Sequence, residues 1–140
     1  NYARVYELKK STPDLTIVLN GGVTSLDDAE THLHHVDGVM LGRAAYQNAY
    51  ILSDVDGRFF AKEGPKKSRH DVVYGLKEYA VRMQQEGVPL KRLTRHMLGL
   101  FQGEPGAKSW RRALTLAGRQ SDHDFAVVEQ ALDKMDTQLV

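Results

Sequence analysis

The chain has 140 residues, of which 41% are hydrophobic and 26% charged, and it carries a net charge of +1 without any cysteine. This length suffices for one ordinary domain or two small ones, while the lack of cysteine excludes disulfides, thiolate metal ligands and a cysteine nucleophile within these residues. No apolar run approaches the roughly 20 residues of a membrane helix, and the start shows no signal-peptide pattern. We therefore expect a cytoplasmic protein with no membrane partner and, because position 1 is not Met, a fragment of a longer chain.

The charges are distributed unevenly along the chain. Residues 62–119 contain 13 basic and 5 acidic side chains, whereas residues 1–61 and 120–140 are both net acidic. A segment as basic as this favours a polyanionic partner. A solvated helical surface without such a partner is the alternative that charge alone leaves open.

The first 41 residues alternate between predicted helices and predicted strands. The predicted elements are a helix over 2–10, a strand over 15–19, a helix from Ser25 to about His34 and a strand over 38–41. Both strands are short, apolar runs of the kind that is buried on both faces, and Ser25 with Asp28 resembles a capping box. This order predicts a βαβ unit of a parallel sheet. Because two strands do not form a stable parallel sheet alone, we expect further strands upstream.

After Gly42 the sequence becomes helical throughout. Two short helices are predicted over 43–48 and 50–60, followed by a linker over 61–67 that contains Gly64-Pro65 and is the expected domain boundary. Beyond it, four amphipathic helices with short links predict a small bundle. The first starts at a Ser68–Asp71 cap and its predicted buried residues are Val72, Leu76, Tyr79 and Met83. The predicted buried residues of the last are Phe125, Val128, Leu132 and Met135.

Glycine-containing turns follow both predicted strands. Asn20-Gly21-Gly22 comes directly after the first and Gly42-Arg43 directly after the second. Glycines let backbone N–H groups approach a phosphate, and arginine adds a planar fork of donors. In (β/α)₈ barrels the standard phosphate site lies on the loops after the last two strands, beside a short helix. A hairpin through Asn-Gly is the alternative, which the helical pattern of residues 24–30 disfavours.

Three histidines, His32, His34 and His35, lie near the end of the second predicted helix. The first and last are three residues apart, a spacing compatible with a metal, but no acidic or thiolate partner completes a ligand set. We therefore predict a solvated helix end and no metal site.

Two of the later helices carry basic stripes opposite their apolar faces. The stripes are Arg92, Arg95 and His96 on one helix and Lys108, Arg111 and Arg112 on the next. Spacings of three and four residues place each trio on one face, with no carboxylate four residues away to pair it. Nucleic-acid phosphate is the natural anion for such stripes, whereas the alternative is that their stems merely cover the helical core. Trp110 falls on the apolar side and is expected in the core.

Four runs of sequence resemble the A-type tRNA-dihydrouridine synthases. They are residues 15–22 (LTIVLNGG), 36–46 (VDGVMLGRAAY), 94–101 (TRHMLGLF) and 105–112 (PGAKSWRR). The first two occur broadly among flavin barrels, and the last two are more specific. The resemblance implies an α/β then all-α fold, in which residues 1–61 are the C-terminal part of an FMN-binding TIM barrel and residues 68–140 are a helical tRNA-binding domain.

The resemblance also implies a function and its residues. The implied reaction is reduction of the C5–C6 bond of D-loop uridines in tRNA by a monomeric enzyme that uses FMN and NADPH. By analogy, the flavin phosphate would be held by Asn20, Gly21, Gly22, Gly42 and Arg43. The tRNA would be contacted by Lys108 and Arg111, with Arg112 and Arg95 as neighbours. The family's cysteine acid is absent here, so no catalytic residue is expected in this chain, and it should be inactive alone. The alternatives are a flavin barrel with a small-molecule substrate and a non-catalytic RNA-binding module.

Overall fold

The computed structural model of the chain describes residues 1–62, 64–117 and 124–136. These residues form nine α-helices, one 3₁₀ helix and a two-stranded parallel sheet. In chain order the elements are α1 (Tyr2–Ser11), β1 (Val18–Asn20), α2 (Leu26–Leu33), β2 (Gly38–Met40), α3 (Arg43–Gln47), the 3₁₀ helix (Ala49–Asp54), α4 (Val55–Phe59), α5 (Arg69–Gly75), α6 (Lys77–Gln85), α7 (Lys91–Met97), α8 (Ala107–Ala117) and α9 (Ala126–Asp136). Among the described helices, none combines the length and apolar character needed to cross a membrane.

The two strands run parallel, with Leu19 opposite Val39 and Asn20 opposite Met40. This pairing confirms the predicted βαβ unit and excludes the hairpin alternative. The connecting helix α2 begins where its capping signal predicts, because the Ser25 hydroxyl accepts a hydrogen bond from the N–H of Asp28 at 3.0 Å. The hydrogen bond between the Ser25 side chain and the Asp28 carboxylate is the main reason why the pKa of Asp28 is lowered.

The sheet is less buried than the sequence predicts. Leu19 is 2% exposed and packs with residues of α1 and α2, but Val18 and Leu15 are each 58% exposed and Met40 is 46% exposed. The prediction of strands buried on both faces is therefore wrong for the described residues, in which only one face of β1 is covered. The first strand is also shorter than predicted, since it begins at Val18 rather than at Leu15.

Asp37 links helix α1 to the start of the sheet through a hydrogen bond and an ion pair. The Asp37 carboxylate accepts the backbone N–H of Ile17 at 2.8 Å and lies 2.9 Å from the Lys9 ammonium. These contacts, the backbone hydrogen bond first, hold the pKa of Asp37 below its usual value. The carboxylate therefore stays charged at neutral pH and links α1 to both strands.

The predicted helix over 50–60 is divided into the 3₁₀ helix and α4. The Ser53 hydroxyl donates to the Tyr50 carbonyl at 2.6 Å, and it thereby competes for the acceptor that a continuous α-helix would offer to Asp54. Leu52 and Phe60, which were expected on the apolar side, are 51% and 72% exposed. Helix α4 is joined to α2 through ion pairs of Arg58 with Asp27 and Glu30.

The predicted helix that starts at Ser68 also divides, into α5 and α6. Its N-terminal capping box is confirmed, and the hydrogen bonds from Ser68 lower the pKa of Asp71. The predicted buried face is confirmed in part, since Val72 and Leu76 pack partly buried against the core, but Val73 and Ala80 are the fully buried residues and Tyr79 is 45% exposed. The helix breaks at Leu76, whose N–H bonds to the carbonyl of residue 73, and beyond this break Ala80 rather than Tyr79 is buried.

Trp110 lies at the centre of the helical core with no exposed surface, as predicted. Its indole N–H donates to the Met97 carbonyl at 2.9 Å, and its ring lies 4.8 Å from that of Phe101. The four apolar positions predicted for the last helix are all buried: Phe125, Val128, Leu132 and Met135. Residues 137–140, which close the predicted helical domain, lie outside the described residues.

Candidate functional site

A cavity of about 630 Å³ lies at the carboxyl ends of the two strands. All five residues predicted for a phosphate site line it, namely Asn20, Gly21, Gly22, Gly42 and Arg43. The remaining lining residues are Val23, Thr24, Met40, Ala44, Gln47, Asn48, Ile51 and Gln102. The parallel pairing explains this convergence, because it brings both glycine turns to the same edge of the sheet.

The first turn has a backbone that only glycine adopts readily. Gly21 and Gly22 have φ angles of +129° and +75°, a region that favours glycine. Within the described ranges the backbone N–H groups of both residues donate no hydrogen bond. The Tyr2 hydroxyl donates to the Gly21 carbonyl at 2.7 Å. The turn therefore holds two N–H donors beside the cavity while its carbonyl is engaged elsewhere.

The second turn supplies a cation. Arg43 opens α3 directly after Gly42, and Gly42 offers no side chain to cap that helix. Arg43 is exposed on the cavity and forms no ion pair within the described part of the chain. An arginine without a described carboxylate partner, lining the same cavity as the Gly21 and Gly22 amides, contributes to a donor set suited to an anion.

Another part of the cavity wall comes from residues that the sequence did not predict. Gln47 and Asn48 follow Arg43 along α3, so their proximity in sequence was a usable signal. Gln102 comes from the turn after α7, and no local pattern connects it with the strands. The buried Oδ1 of Asn48 has no hydrogen-bond partner among the described residues. This wall therefore adds amide groups, including one free acceptor, to the donors of the two turns.

The helical section packs directly against this wall. A Cβ added to Gly99 would lie 1.9 Å from the carbonyl oxygen of Gln47, so the two backbones are in close contact. The rings of Tyr46 and His96 meet edge to face at 5.7 Å. One side of the cavity is thus built on the contact between α3 and the segment that follows α7.

The dihydrouridine synthase family model matches residues 1–136 of this chain. The chain belongs to the dihydrouridine synthase family. It is 47% identical over 138 residues to the tRNA-dihydrouridine(20/20a) synthase of Vibrio cholerae, which covers 99% of this chain and 42% of the relative. The protein of the same name from Salmonella typhimurium is 48% identical over 132 residues, covering 94% and 40% respectively. The chain therefore spans about two-fifths of the length of these relatives.

The four basic residues that were predicted to contact tRNA lie on two neighbouring helices. Arg95 on α7 is exposed, as are Lys108, Arg111 and Arg112 on α8. None of these four side chains forms an ion pair with another described residue. The indole of Trp110 on α8 is bonded to the last residue of α7, which fixes the two basic helices against each other. These four side chains are thus exposed on two helices that are in direct contact.

The histidine cluster differs from its prediction. His32 is only 8% exposed, its Nδ1 is hydrogen-bonded to the Tyr6 hydroxyl at 2.5 Å, and its ring lies 4.5 Å from that of Tyr2. His35 stacks on Tyr6 at 4.2 Å. The prediction of a solvated helix end is therefore wrong for His32. This residue lies three positions after the buried Ala29, on the face of α2 that meets α1. Among residues 1–62, 64–117 and 124–136, no group of three or more potential ligands is placed to hold a metal.

Proposed function

We propose that this chain is the C-terminal part of a tRNA-dihydrouridine synthase. Residues 1–61 would complete an FMN-binding TIM barrel, and residues 68–140 would form a helical tRNA-binding domain. The observation that carries the proposal is the cavity at the strand ends, where the Asn20-Gly21-Gly22 turn faces Arg43. The names of the similar proteins support the same reaction class.

The donor set of this cavity fits the phosphate of FMN. Arg43 offers charge and a fork of N–H groups, and Gly21 and Gly22 offer backbone N–H groups, so the anion would be held without a protein carboxylate. The amides of Asn20 and Asn48 suit the hydroxyls of a ribityl chain. Bound FMN supplies hydride transfer to the C5–C6 bond of a tRNA uridine, with NADPH as the reductant. The residues of this chain bind and orient the cofactor through its phosphate end.

The exposed faces of the sheet support its place in a larger barrel. Two strands alone do not make a stable parallel sheet, and the side chains of Val18 and Met40 lack cover in the described chain. The strands that complete the barrel, and the cysteine acid implied by the resemblance, would belong to the remainder of a longer protein. We therefore expect this chain alone to reduce no tRNA.

The exposed basic residues of α7 and α8 would hold the tRNA. Contacts from Lys108, Arg111, Arg112 and Arg95 to phosphate supply affinity rather than sequence specificity. Firm holding matters because a D-loop uridine must leave its stack to reach a flavin ring. The full-length enzyme would act as a cytoplasmic monomer with tRNA as its macromolecular substrate.

Arg43→Ala in the full-length protein should raise the dissociation constant for FMN by about 10- to 100-fold, because a bidentate, charge-assisted contact is lost. Arg43→Lys keeps the charge but not the planar fork of donors, so its dissociation constant for FMN should lie between those of the unsubstituted protein and Arg43→Ala. Flavin fluorescence titration measures both constants. Arg4→Ala, which removes an exposed arginine from α1, is the matched control. An Arg43→Ala protein with unchanged FMN affinity would contradict the assignment of this cavity as the cofactor site.

Lys108→Ala combined with Arg111→Ala should weaken tRNA binding and reduce the slope of log affinity against log salt by about 1.5 to 2. Gel-shift titrations of the full-length protein at several salt concentrations give that slope. The double variant Arg4→Ala with Lys10→Ala removes the same charge from exposed positions on α1 and should leave the slope close to that of the unsubstituted protein. Equal slopes in both double variants would count against a tRNA surface on α8.

A further inference from the structure

We propose that Tyr2 is a positioning residue for the cofactor phosphate, an inference that rests on the proposed function. Its hydroxyl donates to the Gly21 carbonyl at 2.7 Å, and Tyr2 does not line the cavity that Gly21 and Gly22 line. By holding that carbonyl, Tyr2 sets the direction of the Gly22 N–H that faces the anion.

The geometry of a trans peptide bond links these two groups. The carbonyl of Gly21 and the N–H of Gly22 belong to one planar unit and point to opposite sides of it, and no described peptide bond is cis. A hydrogen bond that draws the carbonyl towards Tyr2 therefore turns the N–H away from Tyr2. Because Gly22 lines the cavity and Tyr2 does not, we infer that this direction is towards the expected phosphate.

The restraint matters because both residues are glycines. Glycine populates positive and negative φ with similar ease, so an unrestrained Gly21–Gly22 peptide could turn its N–H away from the anion. The Tyr2 hydroxyl also lies close to Gly22, since a Cβ added to Gly22 would be 2.7 Å from the Tyr2 hydroxyl oxygen. The Tyr2 hydroxyl thus lies next to both glycines of the turn.

Tyr2 is itself held in place by two helices. It is the first residue of α1, whose N-cap side chain, from Asn1, accepts the N–H of Arg4. Its ring lies 4.5 Å from the ring of His32 on α2. A hydroxyl fixed in this way can serve as a rigid support for a flexible turn.

Comparison of FMN with riboflavin, which lacks the phosphate, separates positioning from general stability. In the full-length protein, Tyr2→Phe should raise the dissociation constant for FMN about fivefold to tenfold, as expected for one lost hydrogen bond, and leave that for riboflavin unchanged. Tyr6→Phe is the matched control, because it removes a hydroxyl of the same cluster that bonds to His32 rather than to the turn. Its ratio of FMN to riboflavin affinity should equal that of the unsubstituted protein.

The outcomes distinguish this inference from the proposed function. If Tyr2→Phe leaves FMN affinity unchanged, or weakens both flavins equally, Tyr2 does not position the phosphate turn, while the cofactor site itself stands. If Tyr6→Phe lowers the ratio as much as Tyr2→Phe does, the effect belongs to the packing of α1 and the inference is overturned. If the unsubstituted protein binds riboflavin as tightly as FMN, the phosphate site fails and the role of Tyr2 fails with it.

Discussion

Gly99→Ala should lower the free energy of unfolding of the full-length protein by about 3 kcal/mol, at the upper end of what overpacking costs. The added Cβ would lie 1.9 Å from the Gln47 carbonyl oxygen and 2.9 Å from its carbonyl carbon. Both are backbone atoms, which cannot rotate aside as a flexible side chain can. The helical section must therefore move away from α3, and the cavity wall must move with it.

Equilibrium unfolding in denaturant and FMN titration measure the two consequences of Gly99→Ala. Gly75→Ala is the matched control, because a Cβ there meets nothing within 4 Å and its φ lies outside the left-handed region. Alanine in place of that helical glycine should be neutral or stabilising by up to about 1 kcal/mol. If Gly99→Ala unfolds at the same denaturant concentration as Gly75→Ala, the close contact between Gly99 and Gln47 does not exist in the folded protein.

Trp110→Ala should lower the free energy of unfolding by about 3–5 kcal/mol, because it leaves a cavity at the centre of the helical core. The side chain has no exposed surface and bonds to the Met97 carbonyl. Trp110→Phe keeps most of the volume and removes only the indole hydrogen bond, because the Met97 carbonyl still accepts the Leu100 N–H at 3.0 Å, so its free energy of unfolding should fall by about 0.5–1.5 kcal/mol. Since Trp110 joins α7 to α8, the alanine variant should also disturb the relative placement of the two basic helices.

Denaturant unfolding of the full-length protein measures both Trp110 variants. Leu116→Ala on the same helix provides the control, since Leu116 is 50% exposed and its removal should change stability by no more than about 0.5 kcal/mol. A Trp110→Ala protein that unfolds like the Leu116 variant would contradict the position of the indole at the core.

The features that were predictable from the sequence depend on local chemistry. Ser25 and Ser68 cap their helices because a hydroxyl reaches an N–H two or three residues on. The two glycine turns were placed correctly because parallel pairing follows from the order helix, strand, helix, strand, and this order fixes which strand ends share an edge. Five of the thirteen residues that line the cavity were thus predictable from the sequence alone.

The features that were missed depend on packing between distant segments. The 3.6-residue period placed Tyr79 on the buried face of a single helix over residues 68–86, but the helix breaks at Leu76, and beyond it Ala80 is buried instead. A histidine is buried at position 32 only because α1 brings tyrosines to it. Gln102 reaches the cavity because the helical section rests on α3, and no sequence period encodes a contact between residues 47 and 99.

The position of the FMN phosphate in the full-length protein tests the proposed cofactor site most directly. In a crystal structure with FMN bound, we expect phosphate oxygens within about 3 Å of both the Arg43 guanidinium and the Gly22 backbone nitrogen. We also expect the Gly21 carbonyl to remain bonded to Tyr2. A phosphate bound elsewhere, with the Arg43 guanidinium directed into solvent, would contradict the assignment of this cavity.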